Sequence, residues 1–299
     1  MSVVGKDLEI CLCKDDQLNK DRRESVSSKN TTDSLLLTEE TEDEDCLFNE
    51  QVFEEYFNKY YVSSSDNSNL NFYAYIQSAL RLINKYPKKN FFKSEIERKK
   101  ICLNDNSENK KTLILDLDET LVHADIDFNY KYHDEMLKFI REGTNEETLI
   151  PLILRPHLFD FLNYVSQFFE IIVFTASEKN YADAILNYIE KDRKYFSKRL
   201  YRDSCLFLQP CFYIKDLEIV SNRNLSNVII VDNSMFSFGN NLDNGILISS
   251  FYNDQEDNML FNLANYLSCL VNVDDIRTVN KDHFQFQNYL DQIKKEENK

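Results

Sequence analysis

The chain has 299 residues, of which only four are glycine and four are proline, and it carries 51 acidic against 35 basic side chains. No pair of glycines has the spacing of the Rossmann turn, the Walker A loop or the nucleophile elbow of hydrolases. The net charge of −16 argues against nucleic-acid binding, which requires basic stripes. Any phosphate chemistry must therefore use side chains instead of a glycine-rich loop.

The cysteines and the apolar patterning bear on the cellular compartment. The seven cysteines include no CxxC pair, which predicts reduced thiols and argues against a disulfide framework or a zinc site. The N-terminal residues lack the sustained apolar stretch of a signal peptide, and no run approaches the about 18 apolar residues of a membrane span. These features predict a cytoplasmic or nuclear protein without a membrane span.

The first part of the chain is polar and acidic. Residues 1–46 include a run from Glu39 to Asp45 in which six of seven side chains are carboxylates. This composition is typical of a disordered acidic tail, because the like charges repel one another in a compact state.

The second part, residues 47–110, predicts a helical extension. Aromatic residues recur at helical spacing from Phe53 to Tyr60, and apolar residues do so from Phe72 to Ile83, before Pro87. The spacing predicts two short amphipathic helices, followed by a basic segment. Their default role is packing against the main domain, and docking of a partner protein is the alternative.

Residues 111–275 alternate strand and helix patterns and form a predicted domain of their own. Strands are predicted near residues 112–117, 152–154, 171–174, 212–214 and 228–231, and helices near 158–169, 181–189 and 259–270. The alternation predicts an α/β fold with a doubly wound parallel sheet and helices on both faces. A charged insertion at 124–150 follows the first strand as a surface loop or small cap. Residues 276–299 predict a polar C-terminal tail or fraying helix.

Polar residues follow four of the predicted strands. In chain order they are Asp116 and Asp118, Thr175, Lys215, and Asp232 with Asn233. Ligands bind beyond the carboxyl ends of parallel strands, so these side chains are expected to share one cavity. There Asp116 is suited to attack phosphorus and form an aspartyl-phosphate, and Asp118 to protonate the leaving oxygen and then deprotonate water.

Attack by a carboxylate on a phosphate ester requires nearby positive charge. Mg2+ held by Asp116, a main-chain carbonyl and Asn233 or Asp232 would supply it, and Lys215 adds a second positive charge. Thr175 is suited to donate a hydrogen bond to a phosphoryl oxygen. Each short pattern alone is more often a turn, a cap or a surface ion pair, but the ordered combination predicts phosphoryl transfer.

Six segments of this region resemble a known family. They are DLDETLVH (116–123), LRPHLFDFL (154–162), VFTASEKNYAD (173–183), RLYRDSC (199–205), YIKDL (213–217) and VDNS (231–234). In this order they resemble the small phosphatases of the RNA polymerase II carboxy-terminal domain and their dullard-like relatives, a branch of the haloacid dehalogenase-type phosphatases. The resemblance implies Mg2+-dependent hydrolysis of phosphoserine and phosphothreonine in a protein substrate.

The resemblance also implies roles for individual residues. It makes Asp116 the nucleophile and Asp118 the general acid and base. It places Thr175 and Lys215 on the phosphoryl group, Thr120 and Arg202 near the substrate, and the metal at Asp116, the carbonyl of Asp118 and Asn233, with Asp232 in support of the metal or of Lys215. For Arg202, a structural ion pair is an equal alternative.

The chain departs from the family pattern at three places. Met235 follows VDNS where proline is usual, Asn241-Leu242 replaces a Gln-Pro or His-Pro pair, and the insertion at 124–150 is not that of the polymerase-specific enzymes. The substrate protein therefore stays open. Two alternatives are a non-catalytic binding module, like the relatives in the mitochondrial inner-membrane translocase, and a small-molecule phosphatase. The short insertion favours an open cleft and a polypeptide substrate.

Overall fold

The computed structural model describes residues 68–86, 89–104, 110–144, 146–208 and 212–297. The predicted acidic tail and the first predicted helix lie outside these ranges. Ten strands lie within them: β1 (Lys111–Leu115), β2 (Val122–Ala124), β3 (Glu135–Ile140), β4 (Glu147–Leu154), β5 (Phe169–Phe174), β6 (Phe196–Leu200), β7 (Leu206–Leu208), β8 (Phe212–Ile214), β9 (Val228–Asp232) and β10 (Gly245–Leu247).

The same ranges contain seven α-helices. They are α1 (Ser68–Asn84), α2 (Lys93–Lys99), α3 (Leu158–Val165), α4 (Lys179–Ile189), α5 (Met259–Leu270), α6 (Ile276–Phe284) and α7 (Phe286–Glu297). No helix of the described ranges is both long enough and apolar enough to cross a lipid bilayer.

The central sheet is parallel and has the strand order β10-β9-β1-β5-β6. Its middle strand β1 is an uninterrupted apolar run from Leu113 to Leu115 that is completely buried, as expected for a sheet covered on both faces. The chain moves from β1 to β5 and β6 on one side, then returns to β9 and β10 on the other. The carboxyl ends of β1 and β9 therefore form the switch point at which such sheets bind ligands. The predicted α/β fold is confirmed.

The insertion after β1 is a small antiparallel sheet with the order β2-β4-β3. The sequence predicts a charged loop or small cap here. Exposure alternates along β3, but each of its two faces carries both apolar and charged residues, so the sequence shows no clean polar–apolar alternation there. The insertion is thus an ordered sheet beside the main one.

The strand before Lys215 does not belong to the parallel sheet. β8 pairs with β7 in a separate antiparallel ribbon, in the register Leu206 to Ile214. A run of three apolar residues does not indicate which sheet its strand joins. The prediction that residues 212–214 belong to the parallel sheet is therefore wrong. Lys215 still reaches Asp116 at the edge formed by the carboxyl ends of the parallel strands, here called the rim, but from this ribbon.

The C-terminal region is more deeply packed than the predicted polar tail. The buried side chains of α6 and α7 are Ile276, Asn280, Phe284, Phe286, Leu290 and Ile293. The rings of Phe284 and Phe286 stack with centroids 5.4 Å apart. The many charged residues on the outer face of these helices hid a sparse apolar face, which is why the pattern resembled a fraying helix.

The helical extension contains α1 at the predicted position. Its apolar face buries Ile76, Ala79, Leu80 and Ile83, and the helix packs against α7. Asn84 Nδ2 donates a hydrogen bond of 2.7 Å to Glu297 Oε2 at the far end of the chain. The extension and the C-terminal helices therefore close the same side of the domain.

Candidate active site

Asp116 lies immediately beyond β1, at the centre of the rim. Its backbone N–H donates to Val231 O over 3.0 Å, which continues the pairing with β9 and fixes the start of the turn. The carboxylate is buried, and its two oxygens have different partners. Oδ1 accepts from Lys215 Nζ at 2.5 Å, and Oδ2 accepts from the Thr120 hydroxyl at 3.0 Å.

Lys215 is a buried ammonium between two carboxylates. Its Nζ also donates to Asp232 Oδ2 at 2.6 Å, and the side chain is 1% exposed. Burial alone lowers the pKa of the Lys215 ammonium, but the carboxylates of Asp116 and Asp232 outweigh burial and raise it above its usual value. Lys215 is therefore a permanent positive charge beside Asp116.

Asp232 ends β9 and is almost completely buried. Its Oδ1 accepts from the backbone N–H of Ser234 at 2.8 Å. Burial raises the pKa of the Asp232 carboxyl, Lys215 opposes that rise, and the neighbouring Asp116 adds to it. The carboxyl groups of Asp116 and Asp232 thus share the one ammonium of Lys215.

Asp118 has an entirely different set of partners. Its carboxylate accepts hydrogen bonds from three hydroxyls: Ser177 at 2.6 Å, Tyr181 at 2.6 Å and Thr175 at 3.3 Å. Burial, and then the charge of Glu119, raises the pKa of Asp118 to about 6, although the hydroxyl donors lower it. A carboxyl with this pKa exchanges a proton near neutral pH, as a general acid requires.

The turn between these two carboxylates depends on Glu119. This residue has a φ of 57°, in the left-handed region that a side chain with a Cβ rarely adopts. Its backbone N–H donates to Val122 O at 2.7 Å, and its carbonyl accepts from Phe251 N at 2.8 Å. These two bonds hold the reversal that returns the hydroxyl of Thr120 to Asp116.

Thr175 follows β5 and takes part in two local interactions. Its backbone N–H donates to Leu200 O at 2.9 Å, and its hydroxyl oxygen accepts from Ser177 N at 3.0 Å. The hydroxyl is therefore held as a turn-capping group as well as a partner of Asp118. It lies at the rim where the sequence predicted it.

Arg202 lies at the edge of this cluster and is engaged with its neighbours. Its Nε donates to Ala176 O at 2.7 Å, and its guanidinium pairs with Glu178 at 3.1 Å. The guanidinium also lies 5.3 Å from the centroid of the Tyr213 ring. These contacts favour the structural ion pair over direct contact with substrate.

Oxygen atoms on this rim fit a hard divalent cation. Thr120 Oγ1 lies 3.0 Å from Asp116 Oδ2 and 3.5 Å from Asn233 Oδ1, so both oxygens face the same small space. Asn233 Nδ2 donates to Ser250 Oγ at 3.0 Å, which fixes the orientation of the amide. No cluster of three or more His, Cys, Asp or Glu side chains arranged for a metal occurs in the described ranges. The donor set of carboxylate, amide and carbonyl oxygens suits Mg2+, which keeps several waters.

Two groups of residues at the site were not predicted from the sequence. Ser177 and Tyr181 stand two and six residues after Thr175, and hydroxyls at the start of a helix were the available signal. The other group centres on Arg155, whose side chain is fully buried and forms a bidentate pair with Asp257 at 2.9 and 2.8 Å.

Arg155 joins the turn after β1 to two later segments. It donates to Thr120 O and to Ser249 O, both at 3.0 Å, and lies over the Phe251 ring at 5.5 Å. An arginine that ends an apolar strand was the only sequence signal, because buried arginines are rare unless they are paired. Asp257 and Ser249 are 102 and 94 positions away in the chain and could not be identified from spacing.

Comparison with known proteins identifies relatives of this domain. A family model described as NLI interacting factor-like phosphatase matches residues 111–277, more than half of the chain. CTD small phosphatase-like protein 2 of Dictyostelium discoideum is 40% identical over 188 residues, which cover 63% of this chain and 32% of that protein. Nuclear envelope morphology protein 1 of Schizosaccharomyces pombe is 40% identical over 168 residues, covering 56% of this chain and 35% of that protein. The chain thus spans about a third of the length of these two relatives.

A third relative is matched over most of its length. CTD nuclear envelope phosphatase 1 of Xenopus tropicalis is 36% identical over 182 residues, covering 57% of this chain and 71% of that protein. A solved structure of Fcp1, described as an essential RNA polymerase II CTD phosphatase, has a TM-score of 0.43 and 19% identity over 70% of this chain and 56% of that chain. The resemblance inferred from the six sequence segments is confirmed, and the chain belongs to the NLI interacting factor-like phosphatase family.

Proposed function

We propose that this chain is a Mg2+-dependent protein serine/threonine phosphatase that works through an aspartyl-phosphate. The observation that carries the proposal is the contrast between two carboxylates of one turn. Asp116 is paired with a buried ammonium, and Asp118 is held by three hydroxyls. Environments that differ in this way suit a nucleophile and a proton donor, respectively.

The first half of the reaction follows from these positions. A carboxylate oxygen of Asp116 attacks phosphorus and forms the aspartyl-phosphate bond. The bond from phosphorus to the serine or threonine oxygen breaks, and protonated Asp118 gives its proton to that oxygen. Lys215 and the Thr175 hydroxyl stabilise negative charge on the phosphoryl oxygens.

The second half returns the enzyme to its starting state. Asp118, now ionised, accepts a proton from a water molecule that attacks the phosphorus of the aspartyl-phosphate. The bond to Asp116 breaks, inorganic phosphate leaves, and both carboxyls regain their initial protonation. Asp116, the carbonyl of Asp118 and Asn233 would hold Mg2+, with Asp232 beside them. Bound there, Mg2+ would neutralise the charge that opposes attack.

The substrate class proposed is a phosphorylated polypeptide. The insertion sheet contacts α4 beside Asp118: the Phe139 ring packs on Tyr181 at 5.6 Å, and Asn180 Nδ2 donates to Ile140 O at 3.0 Å. Side chains of this sheet remain substantially exposed, including Met136, Ile140 and Leu149. An exposed apolar surface beside the proton donor supports binding of an extended chain and gives no enclosure for a small metabolite.

The names of the relatives sharpen the proposed location. Two of them carry the nuclear envelope in their names, one from fission yeast and one from frog. We therefore propose nuclear or nuclear-envelope association for this chain, within the cytoplasmic or nuclear placement predicted from its sequence. Tagged full-length protein imaged against a nuclear-envelope marker would test this, and a diffuse cytosolic signal would contradict it.

The direct test of function is hydrolysis of p-nitrophenyl phosphate and of phosphoserine and phosphothreonine peptides, with Mg2+ and with chelator. Asp116→Asn should lower kcat at least about a thousandfold, the scale seen when a nucleophile is removed. The exposed Asp192 gives a matched control, since Asp192→Asn changes the same group far from the rim.

The two alternatives predict different outcomes. A non-catalytic binding module would give equal, negligible rates for wild type and Asp116→Asn. A small-molecule phosphatase would hydrolyse sugar phosphates with no turnover of phosphopeptides. The intact set of Asp116, Asp118, Thr175 and Lys215 supports the enzyme over the binding module.

A further inference from the structure

The loop 234–241 connects β9 to the following 3-10 turn and touches the site at both ends. It begins directly after Asn233, a proposed metal-binding residue. Its Ser237 carbonyl accepts from the backbone N–H of Lys215 at 2.7 Å. Its Asn241 Oδ1 accepts from Leu217 N at 3.1 Å. The position of this loop therefore sets where both Asn233 and the buried ammonium lie.

Helix α1 and the residues after it contact this loop through two tyrosine hydroxyls. The backbone N–H of Met235 donates to the Tyr75 hydroxyl oxygen at 3.1 Å. The Tyr86 hydroxyl donates to the carbonyl of Phe236 at 3.2 Å. Two consecutive residues of the loop are thus bonded to side chains that precede them by about 150 positions.

Packing reinforces these hydrogen bonds. The Tyr75 ring meets Phe236 edge to face with centroids 6.2 Å apart, and Phe236 packs on Phe212 of β8 at 5.0 Å. A Cβ placed on Gly239 would lie 3.0 Å from Tyr86 Cε2, so the backbone of the loop approaches this tyrosine closely. The helical extension is therefore fitted to the shape of the loop.

The extension is not part of the segment that defines the family. The family model matches residues 111–277, whereas α1 spans Ser68–Asn84. Its apolar face is anchored independently against α7, so Tyr75 is presented from a packed helix and Tyr86 follows directly after it. These contacts are additional to those that the matched domain makes by itself.

We infer that the helical extension is a positioning element of the active site, in which Tyr75 and Tyr86 hold the loop 234–241 and thereby fix Asn233 and Lys215. The inference builds on the proposed function and adds residues outside the reacting groups. Tyr75 and Tyr86 touch neither the proposed nucleophile nor the proton donor in the described contacts, so they act through the loop.

Tyr75→Phe in the full chain tests the inference with the least disturbance, because it keeps the ring and removes the acceptor of the Met235 N–H. Loss of one hydrogen bond corresponds to roughly a three- to tenfold effect. We expect kcat for p-nitrophenyl phosphate to fall by about that factor, and the Mg2+ concentration for half-maximal activity to rise. Tyr86→Phe should act in the same direction.

Two further readouts do not depend on turnover. The chain has four methionines, so 15N-methionine labelling gives a sparse spectrum in which amide exchange at Met235 can be followed. Exchange at Met235 should accelerate in Tyr75→Phe and stay unchanged at Met259. Calorimetric titration with Mg2+ alone should show affinity weakened by about three- to tenfold.

Tyr164→Phe is the matched control. Tyr164 lies on α3, packs against Phe168 at 5.3 Å, and its hydroxyl has no hydrogen bond within the described ranges. It should change none of these readouts. A purely structural role for Tyr75 would lower the melting temperature without changing kcat or Mg2+ affinity at 25 °C, where the protein is folded, and that result would overturn the inference.

Failure of the proposed function is separable from failure of this inference. A wild-type chain that hydrolyses no phosphate ester, yet binds Mg2+ more tightly than Tyr75→Phe, contradicts the activity and supports the positioning role. An active wild type with an unchanged Tyr75→Phe variant, in both Mg2+ affinity and kcat, supports the activity and contradicts the positioning role.

Discussion

The two sides of the rim carry the same functional group in opposite surroundings. On the β1–β9 side, Asp116 and Asp232 share the buried ammonium of Lys215. On the β5 side, the carboxylate of Asp118 accepts hydrogen bonds from three hydroxyls, and Glu119 adds a negative charge nearby. The difference shows that surroundings, and not residue type, separate a carboxylate paired with a buried ammonium from a carboxyl that exchanges its proton near neutral pH.

The largest expected effect comes from removing the charge on the β1–β9 side. Lys215→Met keeps most of the length of the side chain but leaves two carboxyl groups buried without their ammonium. We expect kcat to fall at least about a thousandfold and the free energy of unfolding to fall by about 3–5 kcal/mol. Phosphatase assays and urea denaturation at pH 7 measure the two effects.

Lys179 supplies the control for that change. Its ammonium pairs with Asp183 at an exposed position, and Lys179→Met should lower the free energy of unfolding by no more than about 1 kcal/mol. If Lys215→Met retained activity within tenfold of this control, the β1–β9 side would not depend on its buried charge.

A smaller effect is expected on the β5 side, where hydrogen bonds replace charge. The Tyr181 hydroxyl donates to Asp118 and so lowers its pKa, which burial has raised to about 6. Tyr181→Phe removes this donor and should raise the pKa of Asp118 further. The protonated form of Asp118, which is needed to expel the leaving group, then persists to higher pH. The fall of kcat on the alkaline side of the pH profile should therefore occur at higher pH.

The substrate gives this prediction its internal control. Nitrophenolate leaves without protonation, so kcat for p-nitrophenyl phosphate should fall less than kcat for a phosphoserine peptide, for which about a tenfold loss is expected. An alkaline limb that moves to lower pH would show that Tyr181 does not act on the Asp118 carboxyl.

The sequence indicated which side chains lie at the rim but not the residues that hold them in place, for a physical reason. Asp116 and Thr175 directly follow strands of the parallel sheet and Asp232 ends another, and the carboxyl ends of such strands lie along the same edge. Arg155 and Tyr75 act through partners that are far away in the chain, and only the fold brings them together. Lys215 lies at the rim beside Asp116, but its strand was assigned to the wrong sheet, because that strand has only three residues.

The residues that hold the site in place also differ in how far the sequence alone indicates them. Ser177 and Tyr181 stand two and six residues after Thr175, so their place in one short segment could have indicated that all three hydroxyls lie near Asp118. The turn at Glu119 could not have been foreseen, because its positive φ is imposed by bonds to Val122 and Phe251. Local spacing predicts neighbours on one element, whereas strain and burial depend on the whole fold.

The smallest expected effect lies away from the rim and separates acid inactivation from acid unfolding. His283 on α6 is partly buried against Tyr266, whose hydroxyl lies 3.3 Å from its Nδ1. Burial lowers the pKa of His283 to about 4, against a weaker opposing effect of Asp282. The folded state therefore favours the neutral ring, and its contribution to stability is present above the unfolded pKa of about 6.5 and is lost as pH falls toward 4.

His283→Gln should flatten this dependence. The free energy of unfolding, measured by urea denaturation from pH 7 to pH 4.5, should decline less steeply in the variant than in wild type. The difference should be modest because the ring is partly exposed and solvent screens its charge. The activity profile assigned to Asp118 should be the same in both proteins over the pH range in which both are folded. If His283→Gln also shifted the pH profile of kcat, loss of activity in acid would reflect unfolding and not protonation of Asp118. The pKa of Asp118 would then have to be measured at pH values above the unfolding transition.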